Sequence, residues 1–273
     1  MVVQAGGKGG LAGLDKQAVR NTLLAAADAA AIPTLKGFRT PLAVENKWTT
    51  GFDPVTESDR DAEIAIRGVI AEHFPDHGII GEEWDPKASA GAFDWIVDPI
   101  DGTRAFICGV PVWGTLIGLM HNGRAVAGMM AQPFTGEAWL GLEGEATYHR
   151  HGESSPIRAS QVKRLSEAKM SATSPDLFEL SGTTEVFTAL RKAVLQCRWG
   201  LDCYAYSLLA AGQFDLVVEA GLKNVDIAPL VPIIEAAGGI VTTWTGEAPE
   251  KGGNIVAAAT RELHEAAMAV LNG

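Results

Sequence analysis

Asp98 and Asp101 stand three residues apart just after the apolar run 93–97, and Gly102 and Thr103 follow them directly. Two carboxylates at the carboxyl end of a buried strand, followed by a glycine and a residue able to open a helix, set hard oxygen ligands beside free backbone N–H groups. A divalent cation and a phosphate would both fit there. An isolated Asp-Pro or Asp-Gly step is ordinarily a turn. Here, however, Glu82 follows the short apolar run Ile79-Ile80, and Asp226 stands at the start of an apolar helical stretch. Burying an unpaired charge is costly, and metal coordination would compensate it. For each acid taken singly, the alternative is a helix cap or a surface pair with arginine.

These acids need elements to hold them. Asp15 can cap a helix over about 15–31, and a loop beyond Pro33 carries Lys36 and Lys47. Thr56 or Ser58 can cap a second helix ending near Phe74, with Ala62, Ile66, Val69, Ile70 and Phe74 at helical spacing. Residues 114–120 and 124–132 read as a hairpin through Asn122-Gly123, and 138–142 as a third strand. The polar stretch 144–160 predicts a boundary between halves 14–150 and 151–273, with His149 and His151 facing solvent rather than metal. The second half alternates strand and helix: strands at 169–172, near Arg198, and at 214–218, 240–244 and 255–258; helices at 183–195, 204–211, 228–237 and from about Arg261. This is an α/β pattern.

Bulk properties narrow the function. Cys108, Cys197 and Cys203 form an odd set without a CxxC pair, so neither a disulfide framework nor a thiolate zinc site is expected, which fits a cytoplasmic location. A net charge of −11 with no basic cluster argues against nucleic-acid binding. The apolar run 110–120 falls below the ~18 residues of a membrane span. The glycine-rich residues 1–13 predict a flexible leader, and Gly6-Gly7-Lys8-Gly9-Gly10 within it lacks the spacing of a phosphate loop.

Four strings occur together: Asp53-x-Val55-Thr56, Gly81-Glu82-Glu83, Asp98-Pro99-Ile100-Asp101-Gly102-Thr103, and Asp226 followed by Glu235-Ala236-Ala237-Gly238-Gly239. In this combination and order the chain, from about Asp15 onward, resembles the inositol-monophosphatase-like family of magnesium-dependent phosphatases. The resemblance implies one phosphatase domain over 14–273, an α/β (α+β layered) sandwich of alternating α-β-α-β-α layers. It implies metal ligation by Glu82, Asp98, Asp101, Asp226 and the carbonyl of Ile100, with Asp53 ordering a more labile ion, and two or three Mg²⁺ in all. It also implies phosphate on the N–H groups of Gly102 and Thr103, and direct attack by a metal-activated water that Thr103 and Glu82 orient and deprotonate. A homodimer acting on a small phosphorylated metabolite is implied as well. The family often has tryptophan before the last aspartate and alanine three positions after it, where this chain has Val225 and Pro229. That departure touches local packing only.

Three further segments resemble one branch, the inositol-monophosphatase-like histidinol-phosphate phosphatases: Thr103-Arg104-Ala105-Phe106-Ile107, the run 110–119, and Asp202-Cys203-Tyr204-Ala205-Tyr206 with Leu208-Leu209-Ala210-Ala211-Gly212. Glu219 falls where the family contacts the leaving group, and Asp202 heads a helix in the matching substrate segment. Two carboxylates suit the cationic amine and imidazole of histidinol. Arg104 belongs to the branch-specific string, and Arg198 either meets substrate or pairs with these acids. Tyr204 and Tyr206 read as core or rim. The alternatives are a broad-specificity inositol monophosphatase and, from a different class, a non-catalytic metal- or phosphoinositide-binding scaffold.

Overall fold

The computed structural model describes residues 10–47, 52 and 54–273. Most of the expected leader, and Asp53, lie outside those residues. Within them Leu11 is buried against the first core cluster.

Helix α1 (Lys16–Gly37) is capped by Asp15, whose Oδ1 accepts from the N–H of Gln17 at 2.9 Å. It continues through Pro33, where a loop was expected, because the proline removes a single donor while Ala30, Thr34 and Gly37 stay buried. The short strands β1 (Glu45–Asn46) and β2 (Pro54–Val55) pair and lead into α2 (Glu57–His73). Thr56 rather than Ser58 is its cap. The N–H and Oγ1 of Thr56 both donate to Asp59 Oδ2, at 2.8 and 2.6 Å.

The first sheet runs in sequence order: β3 (Gly78–Gly81), β4 (Phe93–Asp101), β5 (Gly114–His121), β6 (Arg124–Gln132), β7 (Glu137–Leu142), β8 (Glu145–Arg150) and β9 (Glu153–Pro156). Helix α3 (Thr103–Ile107) sits between β4 and β5. Strands β8 and β9 correct the reading of 144–160 as a polar connector. Ala146 is buried and Tyr148 packs on Trp139, while the outward residues are polar, so a one-sided meander reads as a loop. His149 therefore lies on a strand, with Nε2 2.9 Å from Thr147 Oγ1.

The chain then forms β10 (Lys169–Ala172), α4 (Pro175–Leu180), α5 (Thr184–Ala193), β11 (Gln196–Trp199), α6 (Asp202–Ala210) and β12 (Leu216–Leu222). It finishes with α7 (Asn224–Ile227), α8 (Val231–Ala236), β13 (Ile240–Thr243), β14 (Gly253–Ala258) and α9 (Arg261–Leu271). The second sheet has the order β11-β10-β12-β14-β13. The helix expected over 228–237 is broken by a 3₁₀ turn at Ala228–Leu230, since Pro229 and Pro232 each withhold an N–H.

Three cores separate the layers. Leu23, Ile66 and Ile70 of α1 and α2 pack on Trp95, Val97 and Ile117 of the first sheet. Its other face, with Leu116 and Trp139, meets Tyr206 and Ile233 of the middle helices, which also cover Val217 and Ile255 of the second sheet. Phe187 and Leu263 of α5 and α9 close the outside against Val218 and Val256. The order is α-β-α-β-α, as the resemblance implied.

One device sets the middle layer close to the first sheet. Gly118, Gly128 and Gly141 are cross-strand neighbours on β5, β6 and β7. A Cβ at Gly128 would stand 1.9 Å from the carbonyl oxygen of Pro229, and one at Gly141 2.3 Å from the carbonyl carbon of Pro232. The segment after Asp226 lies in this bare track.

Candidate active site

Alternation along β4 sorts its side chains. Trp95 and Val97 enter the core beneath α1 and α2, whereas Ile96 packs with Val225 and Ala228 and shares its face with Asp98. Pairing with β5 is then interrupted by a bulge between Asp98 and Asp101. Asp98 Oδ1 accepts from the N–H of Ile100 at 3.0 Å, and Thr115 Oγ1 donates to the carbonyl of Pro99 at 2.8 Å. These bonds fix the bulge and re-aim Asp101, whose Oδ2 accepts from the N–H of Cys203 at 2.8 Å. Asp226 arrives from α7, its Oδ2 accepting from the N–H of Lys223 at 2.7 Å.

Carboxylate oxygens of Asp98, Asp101 and Asp226 all lie within 4.8 Å of one another. Burial, then the charges of Glu82, Asp101 and Asp226, push the Asp98 carboxyl well above its ordinary value. Burial and Asp226 do the same to Asp101, against the opposing hydrogen bond from Cys203. Three hard oxygen donors whose ionised forms repel one another fit a divalent cation such as Mg²⁺, which would stabilise the charges that burial opposes.

The parallel register pairs Gly81 with Val97, which brings Glu82 beside Asp98. Glu82 lies outside the close trio, however. Its Oε1 accepts from Lys223 Nζ at 2.8 Å and Lys47 Nζ at 3.2 Å. Burial alone would raise the Glu82 carboxyl, but the two ammonium groups outweigh it and hold it below its usual value. Lys47 also reaches Glu83 Oε1 at 2.6 Å.

Gly102 precedes α3 with φ 84°, and a Cβ there would meet the Asp202 carboxylate at 2.9 Å. Only glycine allows this approach. Thr103 opens α3, and its Oγ1 donates to the carbonyl of Ile100 at 3.0 Å and stands 3.3 Å from Asp59 Oδ1. Arg104 donates to the carbonyl of Phe52.

These residues share a cavity of about 180 Å³. Glu82, Asp98, Ile100, Asp101, Gly102, Thr103, Arg104, Asp202, Glu219 and Asp226 all line it. Arg198 does not. It lies exposed on β11, the edge strand of the second sheet, because the chain leaves that strand pointing the arginine outward. Asp202 adopts φ 46°, and burial raises its carboxyl against the opposing effects of Thr173 and Arg104. Glu219 is fully buried on β12, with Oε1 accepting from Thr173 Oγ1 at 3.0 Å. Cys203 is a buried packed residue, and all three cysteines are free.

Sequence reasoning missed Thr173, Lys223 and Asp59, and gave Tyr206 no part in the cavity. Asp59 carried a signal, standing three residues after Thr56 as a capping box requires. Thr173 follows a strand directly and Lys223 stands three residues before Asp226, but neither position names a partner.

A layered sandwich that gathers one buried and two half-buried carboxylates beside a helix start is an arrangement for handling phosphate with a cation. Residues 15–272 match the model of the inositol monophosphatase family, and the chain belongs to that family. The bifunctional phosphatase IMPL2, chloroplastic, of Arabidopsis thaliana is 39% identical over 262 residues, covering 92% of this chain and 73% of its own. A histidinol-phosphatase of Streptomyces coelicolor is 34% identical, covering 95% and 97%. Among solved structures, an inositol monophosphatase from Zymomonas mobilis superposes with a TM-score of 0.84 at 37% identity, covering 95% of this chain and all of that one. Members of the family are generally dependent on Mg²⁺. Among the described residues, no helix is long and apolar enough to cross a membrane.

Proposed function

We propose that this chain is a cytoplasmic, homodimeric, Mg²⁺-dependent histidinol-phosphate phosphatase whose domain spans 14–273. The observation that carries the substrate reading is the second acidic part of the cavity, where Asp202 and the buried Glu219 lie beyond the metal-type trio. A leaving group with an ammonium and an imidazole complements two carboxylates better than a neutral polyol does. The histidinol-phosphatase relatives support the same choice.

Asp98, Asp101, Asp226, Glu82 and the carbonyl of Ile100 would hold the cation, and Asp53, on the family resemblance alone, would order a more labile ion. Bound there, Mg²⁺ supplies charge neutralisation and lowers the pKa of water. The chain's own residues do the rest. The N–H groups of Gly102 and Thr103, at a helix start and so without intrahelical acceptors, receive phosphate oxygens. Thr103, oriented by the Ile100 carbonyl and Asp59, positions the attacking water. Glu82 is kept ionised by its lysines and accepts the proton that water gives up. The new P–O bond forms in line with the ester bond that breaks, and the departing alkoxide takes a proton from solvent.

Magnesium-dependent phosphate release from histidinol phosphate, inositol 1-phosphate and glycerol 2-phosphate tests this, with chelator as control. Histidinol phosphate is expected to give the highest kcat/KM. Preference for inositol 1-phosphate would replace this reading with a broad-specificity inositol monophosphatase, for which the likeness to the Zymomonas mobilis enzyme is the supporting observation.

A further inference from the structure

Helix α6 carries two phenols with opposite fates. Tyr204 Oη donates to Glu137 Oε2 at 2.6 Å, a bond that satisfies a structural hydroxyl. Tyr206 is 2% exposed and lines the cavity, yet its Oη has no hydrogen-bond partner. Glu219, 1% exposed and lining the same cavity, is in a related state. Thr173 holds Oε1, while Oε2 has no partner. Buried hydroxyl and carboxylate oxygens are almost always satisfied in folded proteins, and leaving them bare is costly. Two such atoms on residues that line one cavity point to a ligand that supplies what the fold withholds.

Their chemistry limits that ligand. An ionised carboxylate only accepts, whereas a phenol can also donate. Neutral imidazole presents one N–H and one bare nitrogen, and an amino group adds further N–H donors. We propose that Tyr206 Oη and Glu219 Oε2 form a paired donor and acceptor that grips the nitrogen-bearing end of the leaving group. Tyr206 is the specificity-determining residue, and Thr173 is a positioning residue for Glu219. The pairing rests on the histidinol reading above and adds to it a residue that a sequence reading assigns to core or rim.

The test is Tyr206→Phe in the full-length, Mg²⁺-loaded enzyme. The substitution removes one oxygen and keeps the ring that packs among the middle helices. The melting temperature should hold or rise, because the deleted hydroxyl has no partner in the free protein. KM for histidinol phosphate should rise about tenfold with kcat within about twofold, the loss expected for one hydrogen bond to a polar ligand. Calorimetric affinity for L-histidinol should fall by the same factor, with inorganic phosphate binding unchanged. Unchanged KM and histidinol affinity, or an equal loss of phosphate binding, would overturn the pairing. If the unaltered enzyme prefers inositol 1-phosphate, the substrate reading itself falls. The pairing is then judged with O-phosphoethanolamine against glycerol 2-phosphate: a KM rise confined to the amine-bearing ester upholds it, and equal shifts sink it.

Discussion

On β4 and α7, Asp98, Asp101 and Asp226 face one another with carboxylate oxygens within 4.8 Å. On α6 and β12, the largest effect after burial on both Asp202 and Glu219 is instead the hydroxyl of Thr173, with Arg104 also acting on Asp202 and Asp202 on Glu219. Burial raises the carboxyls in both regions, but in the first the largest further effects are those of other acids. A cation would therefore stabilise the charged form of the first region. The second has a bonded oxygen and a bare one, which suits it to reading a ligand's hydrogen-bonding pattern.

The difference can be broken most sharply at Asp98. Asp98→Asn keeps an oxygen to accept from Ile100 N–H, so local structure should survive while magnesium-dependent turnover falls by about 10³-fold or more. In chelated protein the same change should raise the melting temperature by a few degrees, roughly 1 kcal/mol, because it removes a repelled charge. A variant that turns over normally would remove Asp98 from the metal set.

Glu219→Gln should act on specificity instead, raising KM for histidinol phosphate about tenfold with little change in kcat. It also carries a pH signature. Burial, with Asp202 adding to it, holds the Glu219 carboxyl well above its ordinary value. Between the ordinary and the raised value, the ligand-free folded protein then keeps a proton that the unfolded chain has released, and above the raised value Glu219 is the ionised acceptor. Stability falls as pH rises from the ordinary glutamate value of about 4.3 through the raised one. Thermal melts of the ligand-free variant should lose part of that fall, and an unchanged slope would count against a protonated Glu219.

The smallest effect is expected at Thr173→Val, which releases Glu219 Oε1 without removing the acid. KM for histidinol phosphate should rise about threefold, the scale of one neutral hydrogen bond, and kcat should stay put. Equal losses for every ester would mean that Thr173 serves the fold and not the substrate.

The two regions also differed in how far they could be read from sequence. Asp98, Asp101, Gly102 and Thr103 are contiguous, so a strand end, a bulge and a helix start sufficed to foresee their shared edge. The Asn122-Gly123 hairpin and the Thr56 cap were legible for the same reason, being local chemistry. Tyr206 comes from a helix, Thr173 from just past strand β10 and Glu219 from β12, which meets β10 in the second sheet, and no spacing links the three to one another. Arg198 was misplaced because edge position on β11 depends on strand order, which sequence does not state. Strand β8 was missed because its polar residues face outward and only Ala146 is fully buried. Glu82 was expected with the acids and lines the same cavity, but its bonds to Lys47 and Lys223 were not legible, because those partners come from distant segments.

The bare track of Gly118, Gly128 and Gly141 reaches further than packing. It fixes how deeply Pro229 and Pro232 sit, and Asp226 stands only three residues before Pro229. A methyl group at position 128 would lift that segment off the sheet and draw Asp226 away from Asp98 and Asp101. Mg²⁺ binds oxygen at about 2.0–2.1 Å and Ca²⁺ at about 2.3–2.6 Å, so a few tenths of an ångström separate one ion from the other. Gly128→Ala is therefore expected to change the relative activation by Mg²⁺ and Ca²⁺, and an unchanged ratio of the two would show that the bare track serves packing alone.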